Sequence, residues 1–195
     1  MTGETVAEAL RRLQPGAFRR RGQAMVPDAK TLAGGLPMFP ITISDHPPRL
    51  VLGLMHTGPY DQISRTFDAL DPEVTAQGLW PLSQGLVAVF FDDPAVVAPA
   101  ALRSLAGILA PEGSPVKPPL QRLDLTGGRH AVLTLRGPYT GLRAAYAWLL
   151  GPWLVASGER LRAAPSWELY RNTPLNTAPD DLITDIHLPL EMPDA

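Results

Sequence analysis

The sequence predicts an α+β fold in which two β-α-β-β repeats, related by a pseudo-twofold axis, leave a groove between them. Three observations lead to it. His56-Thr57-Gly58-Pro59-Tyr60 is echoed by Leu135-Arg136-Gly137-Pro138-Tyr139 at an offset of 79, with Ile63 and Phe67 meeting Leu142 and Tyr146. After one inserted residue Leu70, Pro72, Gly78, Phe90 and Pro94 meet Leu150, Pro152, Gly158, Tyr170 and Pro174 at an offset of 80, an order that marks an internal repeat. The hydrophobic pattern in each copy switches from strand-like to helix-like and back, and 17 Gly with 22 Pro cut the chain into short elements.

Residues 1–35 read as a basic appendage. The first thirty hold six basic and three acidic side chains, against eleven and sixteen in the remainder. Residues 36–195 form the second unit, with repeats over about 48–110 and 128–191 joined by the Pro-rich stretch Pro111 to Pro119. Each repeat opens with an aliphatic strand, 49–57 or 129–136, that ends at Gly-Pro. In the second copy Leu142, Tyr146, Leu149 and Trp153, with Leu150 and Leu154, then form one apolar helical stripe. Pro152 lacks an amide donor and should break that helix after Gly151, and Gly158 supplies a left-handed stop. Pro72 and Gly78 punctuate the first copy in the same way. Strands follow at 86–91 and 102–109, then at 166–171 and 182–190. Each helix covers one face of its strands, and two such units packed together leave a groove.

With 45% apolar and 18% charged residues the chain is a globular protein. No apolar run reaches the roughly 18 residues of a membrane span, so no membrane association is expected. A net charge of −2 removes any whole-chain electrostatic attraction to nucleic acid. The absence of cysteine excludes disulfides, thiol nucleophiles and Cys-containing zinc sites, and with no secretory signal it places the protein in the cytoplasm.

Arg129-His130-Ala131-Val132, Gly137-Pro138-Tyr139, Trp153, Gly158, Trp167-Glu168-Leu169-Tyr170 and Ile183 to Leu190 (ITDIHLPL) resemble the GyrI-like effector-binding domain over about residues 36–191. The tail motif is the most specific part; Gly58-Pro59-Tyr60 and Phe91-Asp92-Asp93-Pro94 are similar to the family's first repeat. The resemblance implies SH2-like repeats and a ligand-sensing role of the kind found in AraC-type and multidrug-binding regulators, or gyrase inhibition when the domain stands alone. Val6 to Arg21 resembles the end of an AraC-type DNA-binding domain, but two helix-turn-helix units are missing, which argues against direct DNA binding. Arg11, Arg12, Arg19, Arg20 and Arg21 read as a solvated surface.

Glu168 is the first candidate site residue. Strand periodicity puts it on one face with Tyr170, while Trp167 and Leu169 point the other way. A half-buried carboxylate needs an arginine, a hydrogen-bond shell, protonation or a bound cation. Pairing with Arg136 or Arg171 would make it structural; the resemblance implies that it lies in the ligand groove. Its first-copy counterpart is Ala88, so the charge site is asymmetric. Tyr60, Trp80, Phe90, Tyr139, Trp148 and Trp153 are candidates to line the groove with Tyr170, giving a cation–π and stacking environment. Trp148, off the Leu142–Tyr146–Leu149 stripe, is preferred to Tyr146.

The four histidines have no metal-ligand spacing, and no nucleotide-binding or hydrolase motif is present, so neither a metal nor a cofactor is expected. The leading function is capture of a small hydrophobic, cationic or planar ligand, in transcriptional control or in drug or toxin response. The resemblance also implies two alternatives: hydrolysis of reactive cyclopropane-type natural products with Glu168 as acid or base, and a protein partner such as gyrase or a regulator.

Overall fold

The computed structural model describes residues 30–31 and 37–193; apart from Lys30 and Thr31, the basic segment expected over residues 1–35 lies outside them. A two-residue ladder pairs Lys30–Thr31 with Pro37–Met38. The main sheet has eight strands: β1 (Ile41–His46), β2 (Arg49–Thr57), β3 (Leu86–Phe90), β4 (Arg103–Ala110), β5 (Gln121–Leu125), β6 (Gly128–Arg136), β7 (Ser166–Tyr170) and β8 (Ile183–Pro189). Their order is β1-β6-β8-β7-β3-β4-β2-β5, every neighbouring pair antiparallel. Helix α1 (Ser64–Ala76) follows β2, and α2 (Leu142–Trp148) follows β6. The fold is thus α+β.

Alternation along the strands sorts side chains between two buried faces. Leu50, Leu52, Leu86, Ala88, Ala106 and Ile108 meet Phe67, Leu70 and Val74 of α1 in one cluster. Ala131, Leu133, Leu135, Ile186 and Leu188 meet Ala145, Trp148 and Leu149 in a second. The intervening positions Val51, Val87, Val89, Leu105 and Leu109 build a third cluster on the opposite face, with Leu125 and Trp167. Each fully buried leucine or isoleucine here, such as Leu52, Leu70 or Ile108, contributes roughly 1.5–3 kcal/mol. Gly53 and Gly107 face each other in the β2–β4 register. A Cβ on Gly53 would sit 2.3 Å from the Ala106 carbonyl oxygen, so that close approach requires glycine.

The Gly-Pro turns entering the two helices share a geometry: the Gly58 and Gly137 amides donate to the Leu102 and Leu182 carbonyls, each at 2.8 Å. Pro152 behaves as expected, within a five-residue π turn, Leu149–Trp153, kinked at Gly151 (φ −105°, ψ −105°). The short helix α3 (Leu154–Ser157) then stops at Gly158 with φ +70°. Pro72 does not behave as expected. It sits on the exposed side of α1, and the helix runs through it to Ala76. A proline ring that projects into solvent spares the core packing that holds the helix in place.

Candidate ligand-binding site

A cavity of about 870 Å³ opens between α1 and α2 over the middle strands. Ile63, Ser64 and Phe67 border it on one side and Leu142, Arg143 and Tyr146 on the other; Phe90, Glu168 and Tyr170 rise from the strands beneath. That size suits a drug-sized molecule.

Glu168 is the polar centre. It is 3% exposed, on the central strand pair, where β7 residue Glu168 faces Ala88 of β3 and Ile186 of β8. Tyr146 donates its hydroxyl to Oε1 at 2.9 Å, and Tyr170 donates to Oε2 at 2.7 Å. Neither arginine weighed from the sequence reaches it: Arg171 pairs with Asp185, and Arg136 with Asp181 at 3.1 Å. Burial pushes the carboxyl above its ordinary value, opposed by the Tyr170 and Tyr146 hydrogen bonds. Burial and the adjacent carboxylate push the Tyr146 and Tyr170 hydroxyls well above theirs, so both remain donors. The site is therefore a buried carboxyl group that two neutral hydroxyls engage, with no cation paired to it among the described residues.

Tyr139 stands edge-to-face with Tyr170 at 5.4 Å between ring centroids. Burial, then the charge of Glu168, raises its hydroxyl, which has no hydrogen-bond partner among the described residues. Tyr60 and Phe90 form a second edge-to-face pair at 4.9 Å. The Tyr60 hydroxyl donates to the Asp92 carbonyl at 2.8 Å and accepts from the Asp92 amide at 3.0 Å, which anchors the loop at the mouth. Asp92 is clamped in turn by Arg103, whose guanidinium holds its carboxyl below the ordinary value.

Five of the candidates thus border the cavity: Glu168, Tyr170, Tyr139, Tyr60 and Phe90. Three do not. Trp148, 7% exposed, belongs to the core between α2 and the sheet. Trp153 packs on the same core beyond the Gly151 kink, and Trp80 packs against the α1 core while its indole donates to Thr75 Oγ1 at 2.9 Å. For Trp148 the physical reason lies in α2, which has two apolar borders rather than one. Leu142, Tyr146 and Leu150 recur every fourth residue and face the cavity, whereas Ala145, Trp148 and Leu149 face the sheet. Trp148 is two residues, about 200°, around the helix from Tyr146. Tyr146, ranked below Trp148 on the sequence pattern, holds Glu168 together with Tyr170; its i+4 relation to Leu142 is the signal that points to it.

The back of the sheet holds a group that sequence spacing missed. His46, His130 and His187, from β1, β6 and β8, converge there with ring centroids 4.9–6.2 Å apart. Among the described residues, no group of three or more His, Cys, Asp or Glu is arranged to hold a metal ion, and no helix is long and apolar enough to cross a membrane.

An antiparallel sheet with two helices around a deep, mostly apolar cavity defines a small-molecule-binding class of domain. The GyrI-like small molecule binding domain matches residues 39–191, and the chain belongs to that family. It is 33% identical over 115 residues to the probable transcriptional regulator YgiV of Escherichia coli (strain K12), covering 58% of this chain and 72% of YgiV. The EcmrR C-terminal domain superposes with a TM-score of 0.60 at 17% identity, over 78% of this chain and 98% of that domain. Against the longer EcmrR chain in its complex with DNA the TM-score is again 0.60 at 17% identity, with 78% of this chain matched to 57% of that one, so the match spans little more than half of EcmrR. SAV2435 bound to tetraphenylphosphonium has a TM-score of 0.58 at 11% identity, over 78% of this chain and 94% of that one.

Proposed function

We propose that residues 36–195 form the ligand-sensing unit of a transcriptional or drug-response system, and that the cavity captures a hydrophobic cation of planar or propeller shape. The carrying observation is Glu168, a buried carboxylate that two tyrosine hydroxyls satisfy without neutralising. A delocalised cation in the cavity supplies the missing charge at small desolvation cost, and Tyr139, Tyr60 and Phe90 offer ring edges and faces to it. The YgiV and EcmrR relationships support a regulatory setting, and tetraphenylphosphonium in SAV2435 supports the ligand class. The two halves, β2-α1-β3-β4 and β6-α2-β7-β8, are read as duplicated units related by a pseudo-twofold axis that passes between Ala88 and Glu168, with the ligand in the groove between them.

Calorimetric titration with tetraphenylphosphonium tests this reading. Saturable binding that is at least tenfold weaker in Glu168→Gln supports it. Equal binding by the variant, or tighter binding of neutral isosteres, sinks it. Consumption of a bound compound would move the assignment to a hydrolase.

A further inference from the structure

The register Ser44↔His130, His46↔Gly128 and Val132↔His187 puts His46, His130 and His187 on the same face of three adjacent strands, β1, β6 and β8. His187, 4% exposed, lies flat on Trp167 of β7, centroids 3.6 Å apart and planes 5° from parallel. The ring of His46 meets it edge-on at 4.9 Å. Both ring nitrogens of His187 are buried with no hydrogen-bond partner among the described residues. His130 Nδ1 is committed to the Gly128 carbonyl at 2.8 Å, and His46 Nε2 to Ser44 Oγ at 3.0 Å.

The surrounding charges give a proton on His187 little to pair with. Arg49 of β2 and Arg171 beyond β7 face it with like charge, as His46 and His130 do once protonated. Arg162 acts on His130, and Arg49 on His46, in the same sense. The opposing carboxylates are Asp45 on the exposed edge and Asp185, which Arg171 and Thr134 already engage. Burial is the first cause that lowers all three imidazoles, His187 to about 3.

We propose that the His46–His130–His187 cluster is an acid-operated release for edge strand β1. At neutral pH the uncharged rings hold β1 across β6 and β8; when protons arrive, the rings repel one another and β1 separates from β6. The release reaches the cavity by a short route. Trp167 adjoins Glu168 in β7, and Ala164 and Pro189 border both the main cavity and a smaller one, about 190 Å³, that His130 and Trp167 line.

Amide hydrogen exchange of the full chain, corrected for the intrinsic pH dependence of exchange, tests the release. Between about pH 7 and about pH 5 the opening of Ile41–His46 should rise roughly several-fold, because imidazoles that the departure of β1 exposes bind protons more readily than the packed ones. His187→Phe keeps a flat ring against Trp167 and should flatten that rise. His46→Gln, at the half-buried edge, guards against a misfolded core variant and should shrink it. Constant protection of β1, an equal rise in both variants, or simultaneous loss of protection across all eight strands would overturn the proposal.

Discussion

Ala88 stands directly across from Glu168 in the ladder between β3 and β7. Cross-strand partners share a face, so the methyl group of Ala88 lies beside the carboxylate and leaves the space above it to the cavity. Ala88 is fully buried. Ala88→Leu should therefore cost about 1–3 kcal/mol of stability by overpacking and also weaken tetraphenylphosphonium binding. Denaturant unfolding and calorimetric titration of the same sample check the two effects.

Glu168 makes apo stability depend on pH with a definite sign. Its folded value is raised by burial, so the unfolded chain loses the proton first, and its contribution to stability declines as pH rises from the unfolded carboxyl value through the folded one. Glu168→Gln should be more stable than wild type near neutral pH, with the difference closing below about pH 4.5. Urea midpoints across that range decide the matter, and a gap that widens with acidification would contradict the assignment. The histidines act oppositely: their lowered values make stability fall as pH drops below about 6.5.

Tyr146→Phe and Tyr170→Phe each remove one hydrogen bond to the buried Glu168 carboxyl, an interaction worth about 0.5–3 kcal/mol. Each should also drive the Glu168 carboxyl further upward, read by the pH at which its infrared carboxylate band appears. Tyr139→Phe should raise stability by up to about 1–3 kcal/mol, because its buried hydroxyl bonds to nothing among the described residues.

Trp148→Ala should lose about 3–5 kcal/mol of stability yet keep the ligand affinity of the folded fraction, as its place in the core demands. A variant that remained stable but lost binding would return Trp148 to the cavity.

Six of the eight strands and the Gly-Pro turns were readable because an antiparallel strand with two buried faces still alternates, and because a proline after glycine ends a strand through local backbone limits alone; the edge strands β1 and β5, outside the two repeats, were not. The face shared by Glu168 and Tyr170 followed from the same period of two. Helix α2 was harder to read: Leu142 to Leu150 is apolar around more than half its circumference, and no local pattern says which part meets the sheet and which the cavity. The histidine cluster was beyond reach for another reason. His46, His130 and His187 belong to strands that become neighbours only through the order β1-β6-β8, a long-range pairing that side-chain periodicity does not encode.

The cavity has a stiff floor and adjustable sides. Beneath it, β3 and β7 are joined by the ladder that makes the eight strands one sheet, and displacing Glu168 means breaking backbone hydrogen bonds. Beside it, α1 and α2 each hang from a Gly-Pro turn and touch the strands through side chains. A bulky guest can push the helices apart at the cost of sliding contacts, while the negative charge it encounters stays fixed. Tolerance of shape and strictness of polarity are thereby assigned to different parts of one small domain.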